Sequence, residues 1–527
     1  HAKNKEELAK ARKAVGHKVY VKLTKWDRHD KDPEGEIVEV IGKKGEHETE
    51  MSAIILEKGF VKNFEKAIEK EANELPIIIT EEQVALRRDF RNVTTFTIDP
   101  ADAKDFDDAI SIQKMPDGKY EIGVHIADVS HYVRPGSIID DEARERSTSV
   151  YMVDRTIPML PEILSNDLCS LKPNIDRLAM SAVFTMDKMG VVHKRWFGKT
   201  VIHSAVRFTY ESAQEVIDTG IGQLSEELKF LDEMTKKIIV RRKKEGALSF
   251  ATEEVKFILD KNMVPTDVFA KTRTSSHEII EELMILANNE VAHFIANYGK
   301  KSNVKKAHQH KNQLHQKSSG IPTIYRIHGE PKKDKIMELK DLLKLWGRDL
   351  HFTNSKSLAF ALNKLQDEIA KAPERAMINS MIIRSMEKAI YSTKNIGHYG
   401  LALAEYVHFT SPIRRYPDLI VHRTLDHILK NQPPLNLKKL DEIAKHSSMR
   451  EKEAAEAERA SIKYKQVEYM ASRIGQNFTG VIVGMNDYTI FIEEERTKCE
   501  GMIKISNLKN DNYIFDKKRM QVIGSKN

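Results

Sequence analysis

Residues 93–114, VTTFTIDPADAKDFDDAISIQK, place five aspartates, four of which we single out, between two segments that are predicted to be β-strands. Asp99, Asp105, Asp107 and Asp108 fall within ten positions. Carboxylates held close together raise one another's pKa, so the cluster costs free energy unless a cation lies among them. The segment is therefore either an acidic surface turn with side-chain hydrogen bonds to the backbone or a metal site where two strands end.

The residue types favour a hard cation over other metals. Mg²⁺ prefers oxygen ligands and completes its shell with water and substrate phosphate. Two such ions can stabilise the attacking and leaving oxygens of an in-line phosphoryl displacement. An EF-hand is excluded because, counting from Asp105, the sixth residue is not Gly and the twelfth is not Glu.

Two further segments carry residue types suited to phosphate and base recognition. Arg414 and Arg415 lie in HFTSPIRRYPDLIVHR, residues 408–423, and guanidinium groups bind phosphate oxygens bidentately. The alternative is an arginine pair that forms salt bridges at the start of a helix. Tyr151 lies in SVYMVDRTIPMLP, residues 149–161, where it could stack on a base or simply be half-buried.

The two ends of the chain differ from its middle. Residues 17–60 contain HKVYVKL, EGEIVEVI and ETEMSAII, which predict three short strands of a small barrel of the OB type. Residues 475–527 return to strands and predict a second small barrel that stops before closing. Between them, periodicity predicts helices over 225–245 and 277–297, and a charged, solvated connector helix over 447–470.

Composition limits the class of protein. The 527 residues suggest two to four domains, and the net charge of +7 permits a polyanionic partner. Only Cys169 and Cys499 are present, so we expect no disulfide framework, no disulfide-linked partner and a cytoplasmic location. No apolar run approaches the ~18 residues that span a bilayer. The polar segment 300–317, with three histidines, is more typical of a basic loop than of a metal site.

Six segments, taken in order, resemble the catalytic domain of the ribonuclease II / ribonuclease R family. The resemblance runs from about Arg87 to about His427. The N-terminal sequence, GHKVYVKLTKW…PEGEIVEVIG, is more similar to the ribonuclease R branch. The six are TIDPADAKDFDDAI, GVHIADVSHYV, TSVYMVDRTIPMLPE, LSNDLCSLKPNIDRLAMS, IIEELMILANNEVA and STKNIGHYGLALAEYVHFTSPIRRYPDLIVHR.

The resemblance implies an α+β multidomain protein in which a mixed α/β RNB catalytic domain is flanked by small OB-fold barrels. On this basis we predict a cold-shock-like domain over 1–75, the catalytic domain over 87–427, a helical connector over 428–472 and an incomplete OB-type RNA-binding domain over 473–527.

The family consists of processive, hydrolytic 3′–5′ exoribonucleases. The resemblance implies that this chain digests single-stranded and structured RNA from a single-stranded 3′ end. It would release nucleoside 5′-monophosphates in RNA degradation and processing. It further implies Mg²⁺, with two ions and with Mn²⁺ as a possible substitute, and a monomeric enzyme.

The resemblance implies a role for each residue of this chain that matches a functional position of the family. Arg414 would hold the scissile phosphate, with Arg415 beside it on the RNA, and Tyr151 would pack against the 3′-terminal nucleotide. Asp107 would be the most critical acid for catalysis. The metal-binding carboxylates would be Asp99, Asp105, Asp107 and Asp108.

Two further contacts to RNA follow from the resemblance. Phe250 would pack against the far end of the stacked bases. Glu281 or Glu282 would contact a ribose, and the sequence does not choose between them, because neighbouring helix positions point about 100° apart. Two other classes remain open: a non-catalytic RNA-binding adaptor, and a metal phosphoesterase that acts on small molecules.

Overall fold

The computed structural model describes residues 11–27, 32–249, 254–306, 321–372, 374–509, 511–517 and 519–526, of which 299–306 are described by their backbone alone. The helices are α1 His47–Glu57, α2 Lys66–Asn73, α3 Glu81–Ala85, α4 Val129–Tyr132, α5 Ile138–Arg146, α6 Tyr210–Thr219, α7 Ser225–Glu245, α8 Ser275–Lys306, α9 Lys333–Leu345, α10 Ser355–Glu368, α11 Arg375–Ser385, α12 Tyr416–Leu429 and α13 Leu437–Ala471. The strands are β1 His17–Lys25, β2 Glu34–Lys43, β3 Arg88–Phe90, β4 Thr95–Asp99, β5 Asp108–Lys114, β6 Tyr120–Ala127, β7 Val150–Tyr151, β8 Thr156–Ile157, β9 Asp176–Met186, β10 Val192–His203, β11 Val206–Thr209, β12 Glu254–Leu259, β13 Pro265–Lys271, β14 Tyr325–Ile327, β15 Ile390–Ser392, β16 Gly480–Met485, β17 Thr489–Glu494, β18 Glu500–Lys504, β19 Tyr513–Asp516 and β20 Gln521–Gly524.

A seven-stranded mixed sheet forms the centre of the molecule, in the order β11-β4-β5-β6-β9-β10-β3. The inner strands pair antiparallel, whereas β11 and β3 join the two edges in parallel. Alternation along β5 sends Ile110 to one face and Ala109 to the other, and each face has its own apolar cluster. Helices α7 and α8 cover the first face, and α4 and α5 lie on the second.

The predicted strands on either side of the aspartates are confirmed as β4, β5 and β6. A tight turn joins β5 to β6, in which the Met115 carbonyl accepts a hydrogen bond from the Gly118 amide at 3.0 Å. Gly118 has a φ of 80° there, a conformation that costs glycine little. The predicted helix over 225–245 is confirmed, and the one predicted over 277–297 is longer at both ends.

The segment ETEMSAII is a helix, α1, so its prediction as a strand is wrong. The alternation and the β-branched residues are compatible with a strand when they are considered alone. In the fold, Met51 and Ile55 lie one helical turn apart and pack against Ala454 and Ala457 of α13. The described residues of this end of the chain therefore supply the paired strands β1 and β2 and a helix rather than three strands.

The connector helix α13 is longer and more buried than the predicted solvated helix. It runs for 35 residues and buries one face along much of its length. Lys465 is fully buried on that face and donates to the Glu468 carboxylate at 2.7 Å. The Arg450 guanidinium lies 3.8 Å from the centre of the Phe60 ring. The helix thus packs the N-terminal segment against the central sheet.

The three strands predicted for the C-terminal segment are confirmed as β16, β17 and β18, and β19 pairs with β20. Helices α9, α10 and α11 form a separate small apolar cluster. Within the described ranges, no helix combines the length and apolarity needed to cross a bilayer. The histidine-bearing part of the predicted loop 300–317 lies outside the described residues.

Candidate active site

The four aspartates lie at one end of the central sheet because of how two strands pair. Asp99 ends β4 and Asp108 begins β5, and these strands are antiparallel neighbours. The end of one and the start of the other therefore meet at the same end of the sheet, and residues 100–107 connect them as a loop, which we call the aspartate loop. The structure brings together all four carboxylates that the sequence singled out.

Ser170 fixes the part of this loop that carries Asp105 and Asp107. Its hydroxyl donates to the Lys104 carbonyl at 2.7 Å and accepts from the Phe106 amide at 3.0 Å. The Ser170 side chain is fully buried, so these bonds have no competition from water. These two bonds fix the backbone on either side of Asp105.

Asp107 is buried and contacts residues 408–423, which carry the two arginines and which we call the arginine segment. The Ile413 amide donates to its Oδ1 at 3.0 Å, and Nε of Arg414 lies 3.5 Å from its Oδ2. Burial raises the pKa of Asp107 well above its usual value, while the Arg414 charge and the Ile413 amide oppose that rise. One oxygen of the Asp107 carboxylate is thus fixed by the backbone, and the other lies near the Arg414 guanidinium.

The two arginines have different surroundings. Arg414 remains 40% exposed in its side chain and also donates to Ser411 Oγ at 2.9 Å. Arg415 turns inward and donates to Oδ1 of the fully buried Asp418 at 2.7 Å. Arg415 therefore adopts the salt-bridged alternative, and Arg414 is the one that lies among the acids.

Tyr151 lies on the two-stranded ribbon of β7 and β8 beside the same segment. The Ser149 amide donates to the Arg414 carbonyl at 3.1 Å, which ties the start of this ribbon to the arginine segment. A hydrogen bond from Tyr151 lowers the pKa of Asp105, against the larger effect of burial. With 38% of its surface exposed, Tyr151 presents an accessible ring next to the acids.

The acids repel one another as the sequence predicts. Burial is the largest cause that raises the pKa of each of the four, and the Asp108 charge raises that of Asp99 further. The Arg414 charge opposes the rise for Asp105, Asp107 and Asp108. Oδ2 of Asp99 is buried and makes no hydrogen bond. A cation at this place would relieve both the repulsion and the unpaired oxygen.

The fit to Mg²⁺ is that of an open site. Among the described residues, no three acidic, imidazole or thiol side chains are placed so that together they could hold a metal ion. Mg²⁺ is usually bound through one or two carboxylates, several waters and substrate phosphates rather than through an all-protein cage. The unpaired Asp99 oxygen and the adjacent Asp108 are the carboxylate pair that best suits this mode of binding.

Comparison with known proteins agrees with this arrangement. The model of the RNB domain family matches residues 87–431, which is more than half of the chain. The chain belongs to the RNB family. The model of the cold shock domain matches residues 4–65, ahead of the RNB domain. The predicted family and the predicted fold class are thereby confirmed.

Curated relatives and solved structures extend the comparison. Ribonuclease R of Thermotoga maritima is 37% identical over 97% of this chain and 71% of its own length. Ribonuclease R 1 of Lactococcus lactis is 36% identical over 94% of this chain, which spans only 59% of that relative. The structure of Mycoplasma genitalium RNase R in complex with ribose methylated single-stranded RNA matches with a TM-score of 0.86 and 28% identity. That match covers 97% of this chain and 78% of the other.

The two glutamates of the RNB domain that were predicted to contact ribose lie on α8 with different partners. Glu282 is buried and accepts from Arg242 at 2.6 Å, and its Oε2 makes no hydrogen bond. Glu281 is more exposed and pairs with Arg273. Phe250 lies outside the described residues.

Tyr210 is a residue of the site that sequence reasoning missed. It follows Thr209, which pairs with Asp99 across the parallel strands β11 and β4. Burial and the charges of Asp108 and Asp99 raise the pKa of its hydroxyl, and its ring stacks on His277 at 3.9 Å between centroids. No motif in the sequence indicates that β11 joins the sheet beside β4.

Proposed function

We propose that this chain is a hydrolytic exoribonuclease that degrades RNA from a single-stranded 3′ end and releases nucleoside 5′-monophosphates. One observation carries the proposal: the fold brings four carboxylates, of which Asp99 and Asp107 are buried, to one end of one sheet, together with the Arg414 guanidinium and the accessible Tyr151 ring. This combination is suited to phosphoryl transfer to water, in which charge develops on phosphate oxygens.

The acids and Arg414 would have different roles in the reaction. Asp99, Asp105, Asp107 and Asp108 would hold Mg²⁺, for which Mn²⁺ could substitute. Bound ions would polarise the phosphate and lower the pKa of water, and two of them would suit an in-line displacement. Arg414 would bind the scissile phosphate and stabilise its charge in the transition state. No nucleophilic side chain is needed, because water is the attacking group.

Tyr151 would fix the end of the strand. An aromatic face beside the acids would stack on the last base and place the last phosphodiester against Asp107. Progressive digestion from the 3′ end follows if the strand can enter only as far as this ring. Structured RNA would have to open before it reaches the site.

Ribose selectivity would come from α8. A carboxylate that accepts a hydrogen bond from the 2′-hydroxyl distinguishes RNA from DNA. Glu281 is accessible, whereas Glu282 has a buried oxygen without a partner. Replacing each by glutamine and comparing the rates on RNA and on DNA of the same sequence would identify the residue that makes the contact.

The segments outside the acids suit RNA as the partner. A cold shock domain precedes the RNB domain, and the net charge is +7, so we expect binding to weaken steeply with salt. We also propose that the chain acts as a monomer and in the cytoplasm, where Cys169 and Cys499, both buried, would stay reduced.

The decisive experiment uses one RNA labelled at either end, with and without Mg²⁺. The proposal predicts that the 3′ label is released first as a mononucleotide and that the 5′ label persists in long fragments until late. Removing the metal should stop both. Release of the 5′ label first, or equal rates in EDTA, would contradict the proposal.

A non-catalytic adaptor is the competing function, and the same experiment separates the two. An adaptor would retain labelled RNA on the protein and release no mononucleotide at any Mg²⁺ concentration. The complete set of acids beside Arg414 favours the enzyme, because binding alone does not need a costly buried cluster of like charge.

A further inference from the structure

The β7–β8 ribbon, which carries Tyr151, is too short to fix the position of this ring by itself. It contains two residue pairs, and in one of them Tyr151 lies opposite Thr156. A turn closes the ribbon, in which the Met152 amide donates to the Arg155 carbonyl at 2.8 Å. A two-stranded hairpin alone is at best marginally stable in water. The position of the Tyr151 ring therefore depends on contacts between the ribbon and the rest of the chain.

Apolar packing holds one face of the ribbon. Val150, Met152 and Ile157 belong to the same buried apolar cluster as Met51 of α1. Tyr151 follows Val150 in the strand, so its side chain points to the other face. The hydrophobic effect is non-directional, so this packing keeps the ribbon on α1 without setting the angle at which the ribbon lies. Directional contacts are needed to fix the ring.

The first directional contact is made by Asp154, in the turn of the ribbon. Its side chain is 1% exposed, and its Oδ2 accepts from His47 Nε2 and from Arg155 Nε, each at 2.8 Å. Burial raises the pKa of Asp154, but the hydrogen bonds from Arg155 and His47 outweigh this effect and lower the pKa below its usual value. A buried, charged carboxylate thus ties the turn to the first residue of α1.

The second directional contact is made by Arg155. Its guanidinium donates to both oxygens of the Glu48 carboxylate, at 2.8 and 2.6 Å. Such a bidentate pair fixes orientation as well as distance. The hydrogen bond from Arg155 is the largest cause that lowers the pKa of Glu48, to about 2, and Glu48 also accepts from Lys62 at 3.0 Å. We call His47, Glu48, Asp154 and Arg155 the ribbon clamp.

The ribbon clamp joins two parts of the chain that are distant in sequence. His47 and Glu48 begin α1, in the segment that matches the cold shock domain, whereas the ribbon lies in the RNB domain. One further hydrogen bond to the turn is longer, from the Val153 amide to Ser461 Oγ of α13 at 3.3 Å. The arginine segment therefore holds the start of the ribbon, and α1 holds its turn.

We propose that the ribbon clamp positions the 3′-terminal nucleotide, because by holding Asp154 and Arg155 it fixes the Tyr151 ring against the last base. This inference rests on the proposed function, which places that base on the ring. The four residues of the clamp act through Tyr151 and are positioning residues. The cold shock segment would thereby help to set where digestion stops, in addition to binding RNA.

The first test does not need hydrolysis. The full chain is mixed in EDTA with an RNA that carries 2-aminopurine at its 3′ end, a fluorophore that stacking on an aromatic ring quenches. The parent should quench it more strongly than Y151A does, and R155Q should fall between the two. R155Q should keep an unfolding midpoint close to that of the parent, because Asp154 retains His47 and Glu48 retains Lys62.

Matched variants separate the clamp from a general loss of ion pairs. The control R195Q breaks another bidentate pair, between Arg195 of β10 and Glu290 of α8, and should quench like the parent. H47Q keeps an amide donor for Asp154 and should also quench like the parent. H47L has no donor and should quench less.

The second test measures hydrolysis with Mg²⁺. R155Q should change the length of the limit product in the same direction as Y151A. It should raise KM about tenfold for an RNA just longer than that product, while kcat on long RNA stays unchanged. The double variant Y151A/R155Q should match Y151A, because no ring is left to position. A merely destabilising substitution would lower the unfolding midpoint without changing the product length.

The outcomes distinguish this inference from the proposed function. Equal quenching and equal product length for the parent and R155Q would overturn the clamp while leaving hydrolysis intact. A parent that quenches no more than Y151A would also overturn it, as would a further change of product length in Y151A/R155Q. A parent that quenches, with a loss in R155Q, but hydrolyses no RNA would support the clamp and contradict the proposed function.

Discussion

The backbone amide of Ile413 donates a hydrogen bond to Oδ1 of Asp107 across 306 positions of sequence, at a distance of 3.0 Å. This contact joins the aspartate loop to the arginine segment and sets Asp107 against Arg414. Because the donor is a backbone group, it holds the side chain in place whether or not the oxygen is charged. Asp107 is thus the acid whose position can be kept while its charge is removed.

We therefore predict that D107N abolishes hydrolysis and keeps RNA binding. Asparagine retains the oxygen that accepts from Ile413 but loses the charge that attracts a cation. The rate should fall by about 10³-fold or more, and the midpoint of thermal unfolding should be no lower than that of the parent, because a buried carboxylate charge is removed. Single-turnover hydrolysis and filter binding measure the two properties, and D117N, on the exposed β5–β6 turn, serves as the control. A variant as fast as the parent would contradict the assignment of Asp107.

The two neighbouring arginines should separate activity from stability. R414Q should lower kcat by about 10²-fold or more, because the guanidinium is expected to act on charge in the transition state. Its unfolding midpoint should stay close to that of the parent. R415Q should instead cost about 3 kcal/mol of unfolding free energy, because it leaves the Asp418 carboxylate buried without its partner. If R414Q unfolds early and R415Q does not, the two roles are reversed.

The central sheet could be predicted because its local signals agree with its packing. The side chains of β5 alternate between the two buried faces of the sheet, and Gly118 lies in the turn that follows. The segment that became α1 could not be predicted in this way. Its helical structure depends on the packing of Met51 and Ile55 on α13, about 400 positions further along the chain. No local sequence pattern indicates that contact.

The acids of the site could be predicted from their spacing, and their partners could not. The sequence shows Asp99, Asp105, Asp107 and Asp108 within ten residues. The pairing of Thr209 with Asp99, which brings Tyr210 to the site, depends on a parallel strand from elsewhere in the chain. Likewise, residue type alone does not distinguish Arg414 from Arg415, whereas the structure places Arg414 beside Asp107 and pairs Arg415 with the buried Asp418.

Ser170 should position the aspartate loop without taking part in the chemistry. S170A removes a buried hydroxyl that serves both Lys104 and Phe106, so we expect a loss of about 1–2 kcal/mol in unfolding free energy. We also expect a lower kcat, since Asp105 and Asp107 lose their support. The control is S385A, which removes an equally buried hydroxyl from α11. It should lower stability without changing kcat, and a similar loss of activity in both variants would argue against a positioning role.

The stability of the metal-free protein should depend on pH through Asp99. Burial and the Asp108 charge raise the pKa of Asp99 in the folded state, so the folded chain binds more protons than the unfolded chain above pH 3.8. The contribution of Asp99 to stability is therefore greatest at low pH and falls as the pH rises through the raised pKa, so it appears as the difference between the parent and D99N. Thermal unfolding in EDTA should show this fall, and D99N should reduce it. Mg²⁺ should stabilise the parent more at high pH than at low pH, and an equal effect at both would contradict a site built from these carboxylates.

Tyr151 should set where digestion stops. Its ring is accessible beside the acids, and its hydroxyl is hydrogen-bonded to Asp105. In Y151A the last base loses its stacking partner, worth about 1–3 kcal/mol, so the shortest RNA that can still be held and cut should change in length. Y151F keeps the ring and should give the end product of the parent, with at most a modest change in rate from the lost hydrogen bond. High-resolution gels of the limit digest compare the three proteins. Identical end products for Y151A and the parent would show that another group fixes the 3′ nucleotide.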